Sequence, residues 1–171
     1  MARNVEIKAR VGALEATRRL AERLADGPGA VMEQSDTFFR VAGGRLKLRE
    51  RSDAPAELIF YRRPDAEGPK ESEYEVCPVP DAPRLRELLA AALGVVGRVV
   101  KRRVVYRAGR TRIHLDEVRD LGAFLELEVE LASGESADGG VREARRLMHA
   151  LEIGEDALIA GAYVDLLSGP R

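Results

Sequence analysis

Four short segments of this chain alternate polar and apolar residues with a period of two, the pattern of a β-strand with one buried face. These segments are Asn4–Val11, Arg45–Arg49, Arg110–Asp116 and Phe124–Leu131. Four further strand candidates, less regular in their alternation, cover residues 30–41, 57–63, 71–79 and 98–107. The chain is therefore expected to form about eight strands.

Helical periodicity is found between the strand candidates, over residues 13–24, 81–93, 141–151 and 155–167. Asp81 is the expected N-cap of the second helix. Short turns such as Gly43-Gly44 favour antiparallel neighbours over crossover connections. The order of elements predicts an antiparallel α+β fold that forms one domain over residues 1–171.

Composition excludes several classes of protein. The 171 residues include 28 Lys and Arg against 29 Asp and Glu, so the chain lacks the basic excess of a nucleic-acid-binding protein. A lone cysteine, Cys77, excludes a disulfide framework, and no apolar run is long enough to cross a membrane. We expect a soluble cytoplasmic protein without nucleic-acid or membrane partners. The sequence leaves the oligomeric state open, a homodimer included.

The amphipathic helices need a surface on which to bury their apolar stripes, and the apolar faces of the strands provide it. If helices cover the outside of a closed sheet, the polar strand faces point into the barrel. An eight-stranded barrel encloses room for side chains or one small ligand. A charged interior of that size is too costly unless its charges are paired or bound to something.

The polar strand faces divide into a basic set and an acidic set. The basic set is Lys8, Arg45, Lys47, Arg49, Arg62, Lys101, Arg103 and Arg112. The acidic set is Glu6, Glu126, Glu128 and Glu130, with Asp116 nearby in the pattern. Arginine forks suit phosphate oxygens, and carboxylates suit Mg²⁺ or Mn²⁺. A polyphosphate with a divalent cation satisfies both sets.

Several motifs occur in an order that resembles one family. They are Asn4-Val5-Glu6-Ile7-Lys8, then residues 44–50, then Lys101-Arg102-Arg103, and finally residues 114–118 leading into 121–128. The chain resembles the CYTH superfamily, also called triphosphate tunnel metalloenzymes, over nearly its whole length. The combination looks most like the class IV adenylyl cyclase-like branch.

This resemblance implies an eight-stranded antiparallel tunnel that binds ATP or another triphosphate with Mg²⁺ or Mn²⁺. Glu6, Glu126 and Glu128 would hold the metal. The residues expected along the phosphate path are Lys8, Arg45, Lys47, Arg49, Arg62, Lys70, Lys101, Arg103 and Arg112. Lys8, Lys101 and Asp116 are the expected catalytic residues, with Asp116 orienting a basic residue or a water.

Some neighbouring residues are interpreted differently. Arg63 and Arg102 are out of phase with the proposed inward faces and are expected outside the site. His114 is interpreted as a hydrogen-bonded wall residue rather than a metal ligand. Glu130, at the end of its strand, is expected to be solvated.

Asn4 departs from the family motif, which has a glutamate at this position. An amide offers a carbonyl oxygen but no charge, so we expect weaker metal binding or one metal in place of two. Three functions stay open: cyclisation of ATP with loss of pyrophosphate, hydrolysis of a thiamine, nucleoside or inorganic triphosphate, and binding of a phosphorylated ligand or polyphosphate without turnover.

Overall fold

The computed structural model describes residues 1–169 and contains eight strands and four α-helices in that range. The strands are β1 (Ala2–Arg10), β2 (Ala30–Phe39), β3 (Arg45–Arg51), β4 (Ala56–Arg62), β5 (Lys70–Val79), β6 (Val95–Ala108), β7 (Thr111–Val118) and β8 (Gly122–Glu130). The helices are α1 (Leu14–Leu24), α2 (Ala82–Leu93), α3 (Ala137–Ala150) and α4 (Tyr163–Leu167), with a 3₁₀ turn at Glu155–Ala157.

The strands close into an antiparallel barrel in the order β1-β5-β4-β3-β2-β6-β7-β8. Short turns connect several pairs of consecutive strands that are neighbours in the barrel. Gly44 precedes β3 with a φ of 73°, and a Cβ at this position would lie 2.6 Å from the carbonyl oxygen of Tyr61. Only glycine tolerates both the angle and the close approach. The predicted fold class, an α+β protein built on an eight-stranded antiparallel barrel, is confirmed.

The main apolar core lies between the outer face of the barrel and the helices. Ile7 and Leu127 on the strands share a buried cluster with Leu147 and Leu151 of α3 and its C-terminal end. Each such side chain contributes about 1.5–3 kcal/mol when it is fully buried. Because the apolar strand faces are used in this way, the polar faces of the same strands point into the barrel, as expected.

Two helix predictions are corrected. The single helix expected over residues 155–167 is wrong, because Ile159 N donates a 2.8 Å hydrogen bond to Lys8 O and Leu158 forms a bridge with Ala9. This pairing holds the backbone extended between the 3₁₀ turn and α4. Helix α3 begins at Ala137 rather than Val141, because the Ser136 side chain caps it by accepting a hydrogen bond from Asp138 N.

Helix α4 covers one end of the barrel. Tyr163 and Val164 are buried in a cluster with Phe124 of β8 and Val118 of β7. The ring of Tyr163 meets that of Phe124 edge to face, with 4.8 Å between the centroids. At the other end of the barrel, Ala30 at the start of β2 is exposed. The lumen is therefore closed at the α4 end and accessible at the opposite end.

Candidate functional site

A cavity of about 420 Å³ fills the barrel, a size typical of small-molecule sites. Many of the residues predicted to form the site line this cavity. They are Glu6, Lys8, Lys47, Arg49, Lys101, Arg103, Arg112, Glu126 and Glu128. Arg45, Arg62, Lys70 and Asp116 are not among the lining residues. The strands thus bring most of the predicted basic and acidic sets into one enclosed space.

One wall of the cavity is basic and is organised around Asp36 on β2. Lys47 Nζ lies 3.1 Å from Asp36 Oδ2, and Arg49 Nε lies 3.1 Å from Asp36 Oδ1. Burial opposes ionisation of Asp36, but Arg49 and Lys47 outweigh it and hold the pKa of this carboxyl far below its usual range. Asp36 is therefore an ionised anchor that positions two cations. Sequence patterns gave it no role, because a single aspartate in a strand carries no distinctive signal.

Lys47 is the most easily titrated group on this wall. Burial, and next the positive charge of Arg49, lower the pKa of Lys47 to about 8, although Asp36 acts in the opposite direction. A phosphate group bound beside Lys47 would favour its charged form. The charge of this lysine is therefore sensitive both to pH near neutrality and to an anionic ligand.

The closed end of the cavity is organised around Asp116, which is fully buried beneath the lining residues. Asp116 accepts hydrogen bonds from Lys101 Nζ at 2.8 Å, Arg103 Nε at 2.6 Å and the Tyr163 hydroxyl at 3.0 Å. Burial opposes its ionisation, but Arg103 and Lys101 outweigh burial and lower the pKa of Asp116. Asp116 therefore orients Lys101 and Arg103 from below, the geometry of a positioning residue.

Tyr163 is a further site residue that sequence patterns did not identify. Lys8 Nζ lies 3.8 Å from the centroid of its ring, and Lys101 Nζ lies 4.9 Å from it. Cations over an aromatic face gain about 0.5–2 kcal/mol, with the larger values where the pair is desolvated. The helical pattern near the C-terminus gave no signal that this tyrosine closes a tunnel.

The acidic wall is formed by β8 with its neighbours β1 and β7. Lys8 Nζ lies 2.7 Å from Glu126 Oε1, and Arg103 donates to Glu126 Oε2. Arg112 Nη2 lies 2.8 Å from Glu128 Oε2. Burial opposes ionisation of Glu128, but the adjacent His114, Arg112 and Arg103 outweigh it and lower its pKa to about 2. Both carboxylates are therefore negatively charged at neutral pH.

Glu6 lies across from Glu128 in the register of β1 and β8 and forms an ion pair with Arg63. The expectation that Arg62 faces the lumen and Arg63 does not is wrong. Ile59 and Tyr61 of β4 line the cavity, so Arg63 continues the inward series and its side chain is only 4% exposed. The alternation over residues 57–63 is weak because apolar residues occupy both faces of β4, and it does not define which face is inward.

Arg45 and Lys70 lie near the α4 end of the barrel, outside the cavity lining. Arg45 Nη2 is 2.8 Å from Asp65 Oδ2 and 2.8 Å from Asp165 Oδ2. Lys70 Nζ donates to Ala66 O at 2.7 Å. Arg45 thus connects α4 to the barrel, and both side chains are engaged by protein groups. Arg62 packs on the outer face, 4.9 Å from the centroid of the Phe60 ring.

The residues present fit a divalent cation. Donor atoms of His114, Glu126 and Glu128 lie within 4.8 Å of one another. Asn4 Oδ1 and His114 Nδ1 are buried, and neither has a hydrogen-bond partner within the described part of the chain. The interpretation of His114 as a hydrogen-bonded wall residue is therefore wrong for its Nδ1. Buried oxygen and nitrogen donors together with two ionised carboxylates are groups that can ligate a divalent metal.

A closed antiparallel barrel whose lumen carries basic side chains and a small acidic group defines a tunnel protein. The chain belongs to the CYTH family, because the sequence profile of the CYTH domain matches residues 2–163. The recognised resemblance is thereby confirmed. CYTH enzymes depend on divalent metals, in agreement with the acidic group in the cavity.

Other proteins are similar to this chain in sequence or in fold. The chain is 26% identical over 134 residues to "Putative adenylate cyclase MJ0240" of Methanocaldococcus jannaschii. The matched segment covers 77% of this chain and 75% of that protein. Its fold matches a solved protein of Pyrococcus horikoshii with a TM-score of 0.84 and 24% identity, over 95% of this chain and 98% of the other. It also matches a Hippeastrum protein, HpAC1, with a TM-score of 0.67 and 18% identity, over 98% and 97% of the two chains. HpAC1 is described as having a dominant triphosphatase activity.

Residues 1–169 contain no helix that could span a membrane. Each helix in that range is too short or too polar to cross a bilayer.

Proposed function

We propose that this chain is a divalent-metal-dependent enzyme that binds a triphosphate in the tunnel and cleaves one of its phosphoanhydride bonds. The observation that carries the proposal is the charge of the cavity lining. Nine lysine and arginine side chains and five aspartate and glutamate side chains line it, and Asp116 lies directly beneath Lys101 and Arg103, so three positive charges are left over. A surplus of positive charge in a partly enclosed cavity is costly unless an anion neutralises it, and a triphosphate carries a comparable negative charge.

The protein side chains perform the positioning that phosphoryl and nucleotidyl transfer require. Lys47 and Arg49, held by Asp36, bind phosphate oxygens from one wall. Lys8, Lys101 and Arg103 do so at the closed end. Glu126 and Glu128, with Glu6 across from Glu128, would hold the divalent cation. When bound, that cation neutralises phosphate charge and makes phosphorus more susceptible to attack.

Cyclisation of ATP is the first candidate reaction, because a relative that covers 77% of the chain is named a putative adenylate cyclase. In this reaction the 3′-hydroxyl oxygen forms a bond to the α-phosphorus. The bond from that phosphorus to the bridging oxygen breaks, pyrophosphate leaves, and the hydroxyl proton passes to solvent. Lys8, Lys101 and Arg103 would stabilise the charge on the departing pyrophosphate.

Hydrolysis is the second candidate reaction, and the closed end of the tunnel favours it. A triphosphate that enters from the Ala30 end places its terminal phosphate beside Lys8, which contacts Glu126 at 2.7 Å. The metal-binding carboxylate and the terminal phosphate would then share one lysine. In this reaction a water oxygen bonds to the terminal phosphorus, the bond to the bridging oxygen breaks, and orthophosphate and a diphosphate form. The same side chains serve both reactions.

The test is incubation of the purified protein with ATP, thiamine triphosphate and inorganic triphosphate, each with Mg²⁺ or Mn²⁺, followed by separation of products. Cyclic AMP identifies the cyclase, and orthophosphate identifies the triphosphatase. Tight binding without any product would contradict an enzyme and identify a binding module. The matched variants are Glu128→Gln, which we expect to abolish turnover, and Glu130→Gln, which changes the next glutamate on β8 outside the cavity lining and should retain it.

A further inference from the structure

His114 occupies a distinctive position on the acidic wall. It lies on β7 directly across from Glu126 of β8, points into the cavity and is 4% exposed. Its Nδ1 is 3.6 Å from Glu126 Oε2 and 3.8 Å from Glu128 Oε1. Both distances exceed those of a hydrogen bond, so Nδ1 is buried without a partner among the described residues. A buried polar atom left in this state requires an explanation.

A role as the counter-charge of the two carboxylates does not provide that explanation. Lys8 and Arg103 already bond Glu126, and Arg112 already bonds Glu128. A neutral imidazole carries one nitrogen with a free lone pair, which is the form that binds metals.

The distances between the three side chains are compatible with a shared cation. Donor atoms of His114, Glu126 and Glu128 lie within 4.8 Å of one another. A cation with bonds of about 2.0–2.3 Å to each of three donors separates those donors by about 3–4.5 Å. Small side-chain rotations therefore suffice for all three to contact one ion.

We propose that His114 supplies a nitrogen ligand to the divalent cation held by Glu126 and Glu128. This inference rests on the proposed metal-dependent function and adds a residue to its metal centre. A mixed nitrogen and oxygen set accepts Mn²⁺ and later transition metals more readily than an all-oxygen set does, relative to Mg²⁺.

Electron spin echo spectroscopy of the protein with bound Mn²⁺ tests the inference directly, because nitrogen coordinated to Mn²⁺ modulates the echo. The chain contains two histidines, His114 in the cavity and His149 exposed on α3. We expect ¹⁴N modulation in the wild-type protein that changes to the ¹⁵N pattern when only histidine is ¹⁵N-labelled. His149→Gln should keep the modulation, and His114→Gln should lose it.

The same samples give a second measurement, the Mn²⁺ dissociation constant. Loss of groups that support a metal ligand typically weakens binding 10–100-fold, and we expect at least about a tenfold rise in the dissociation constant for His114→Gln. His149→Gln should leave it unchanged. If His114→Gln fails to fold, the labelled wild-type protein and His149→Gln still decide the question.

Each other outcome overturns the inference in a distinguishable way. Bound Mn²⁺ without ¹⁴N modulation excludes His114 as a ligand while leaving the proposed enzyme intact, provided triphosphate turnover is observed. Modulation that persists in His114→Gln, or does not respond to histidine labelling, assigns the nitrogen to another residue. A wild-type protein that binds no Mn²⁺ overturns both the His114 ligand and the metal dependence of the proposed function.

Discussion

The hydroxyl of Tyr163 donates a 3.0 Å hydrogen bond to Asp116 Oδ2, which ties the short C-terminal helix α4 to the closed end of the tunnel. The same ring lies against the ammonium groups of Lys8 and Lys101. One aromatic side chain therefore both seals the lumen and supports two of its cations. The stability of the closed end should depend on this residue in two separable ways.

Tyr163→Phe removes the hydroxyl and keeps the ring. Hydrogen bonds to charged groups are worth about 1.5–3 kcal/mol, and we expect the free energy of unfolding to fall by that amount. Tyr163→Ala should cost more, because the contacts with both lysines are lost as well. Urea unfolding measures both. The control is Tyr106→Phe, whose hydroxyl bonds Glu22 outside the lumen. This variant should not alter the affinity for a triphosphate. A change in affinity as large as that caused by Tyr163→Ala would contradict the role of α4.

Arg62 and Arg63 are adjacent in sequence and lie on opposite faces of the barrel wall, so they form a matched pair. Arg63→Gln removes a cation from the lumen and leaves the negative charge of Glu6 without its partner. Both changes make the lumen less favourable for a phosphate group. We expect the metal-free dissociation constant for inorganic triphosphate to rise about tenfold or more, which corresponds to about 1.4 kcal/mol.

Arg62→Gln should leave this constant unchanged, because its side chain packs on Phe60 outside the cavity. Isothermal titration calorimetry in the presence of a chelator measures both variants. Equal losses in the two proteins would show that the inward phase of β4 is misassigned.

This pair also shows what sequence patterns resolve and what they do not. Most of the lining residues from β1, β3 and β8 were predicted, because polar and apolar residues alternate there without interruption, but Arg45 of β3 lies outside the cavity lining. In β4, Ile59 and Tyr61 face the lumen while Leu58 and Phe60 face outwards, so hydropathy gives no phase. Tyr163 was missed because its role depends on Asp116, a partner far away in sequence that only the folded barrel brings within bonding distance. Asp36 was given no role, although its partner Arg49 lies directly across from it on the neighbouring strand β3.

Asp36→Asn should destabilise the protein without ligand. Removing one partner of a buried ion pair costs about 3–5 kcal/mol, and Lys47 and Arg49 would be left facing each other. A bound triphosphate replaces the missing charge, so we expect the variant to gain more stability from inorganic triphosphate than the wild-type protein gains. Thermal unfolding with and without this ligand tests both statements.

The matched control for Asp36 is Asp53→Asn. Asp53 pairs with Arg51 in a more exposed setting, where an ion pair is worth less than about 1 kcal/mol. In the wild-type protein the stabilisation from Asp36 is present above the ordinary carboxyl pKa and is lost as the pH falls below about 4. If Asp36→Asn were as stable as the wild-type protein, the role of Asp36 as an anchor would be contradicted.

Lys47, with a pKa of about 8, predicts a pH dependence of ligand binding. Phosphate favours the charged lysine, so binding above pH 8 requires uptake of a proton and affinity falls as the pH rises from 7 to 9. We expect Lys47→Arg to flatten part of this fall, because a guanidinium stays charged throughout. Titration of both proteins with a non-hydrolysable ATP analogue cancels the ionisation of the ligand itself.

Stability should respond to Lys47 with the opposite sign. Between pH 8 and about 10.4 the unfolded chain binds more protons at this lysine than the folded chain does, so its contribution to stability rises with pH. Falling affinity together with a rising stability contribution would identify a lysine whose charge is unfavourable until a ligand arrives. Identical pH profiles in wild type and Lys47→Arg would assign the dependence to other groups.

Asn4 tests the metal centre from the side of β1. Its Oδ1 is buried without a partner among the described residues, and its neighbours in the inward series of β1 are Glu6 and then Lys8. Asn4→Glu restores a carboxylate to the lumen, and we expect Mn²⁺ and Mg²⁺ to bind more tightly, because each ion gains a charged oxygen ligand. Without metal the same substitution should lower the free energy of unfolding, since it places another negative charge near Glu6.

Asn4→Gln is the control, because it adds the same length without charge and should not improve metal binding. A calorimetric metal titration of Asn4→Glu that is indistinguishable from wild type would place the cation away from β1 and leave β7 and β8 as its only supports among the described strands.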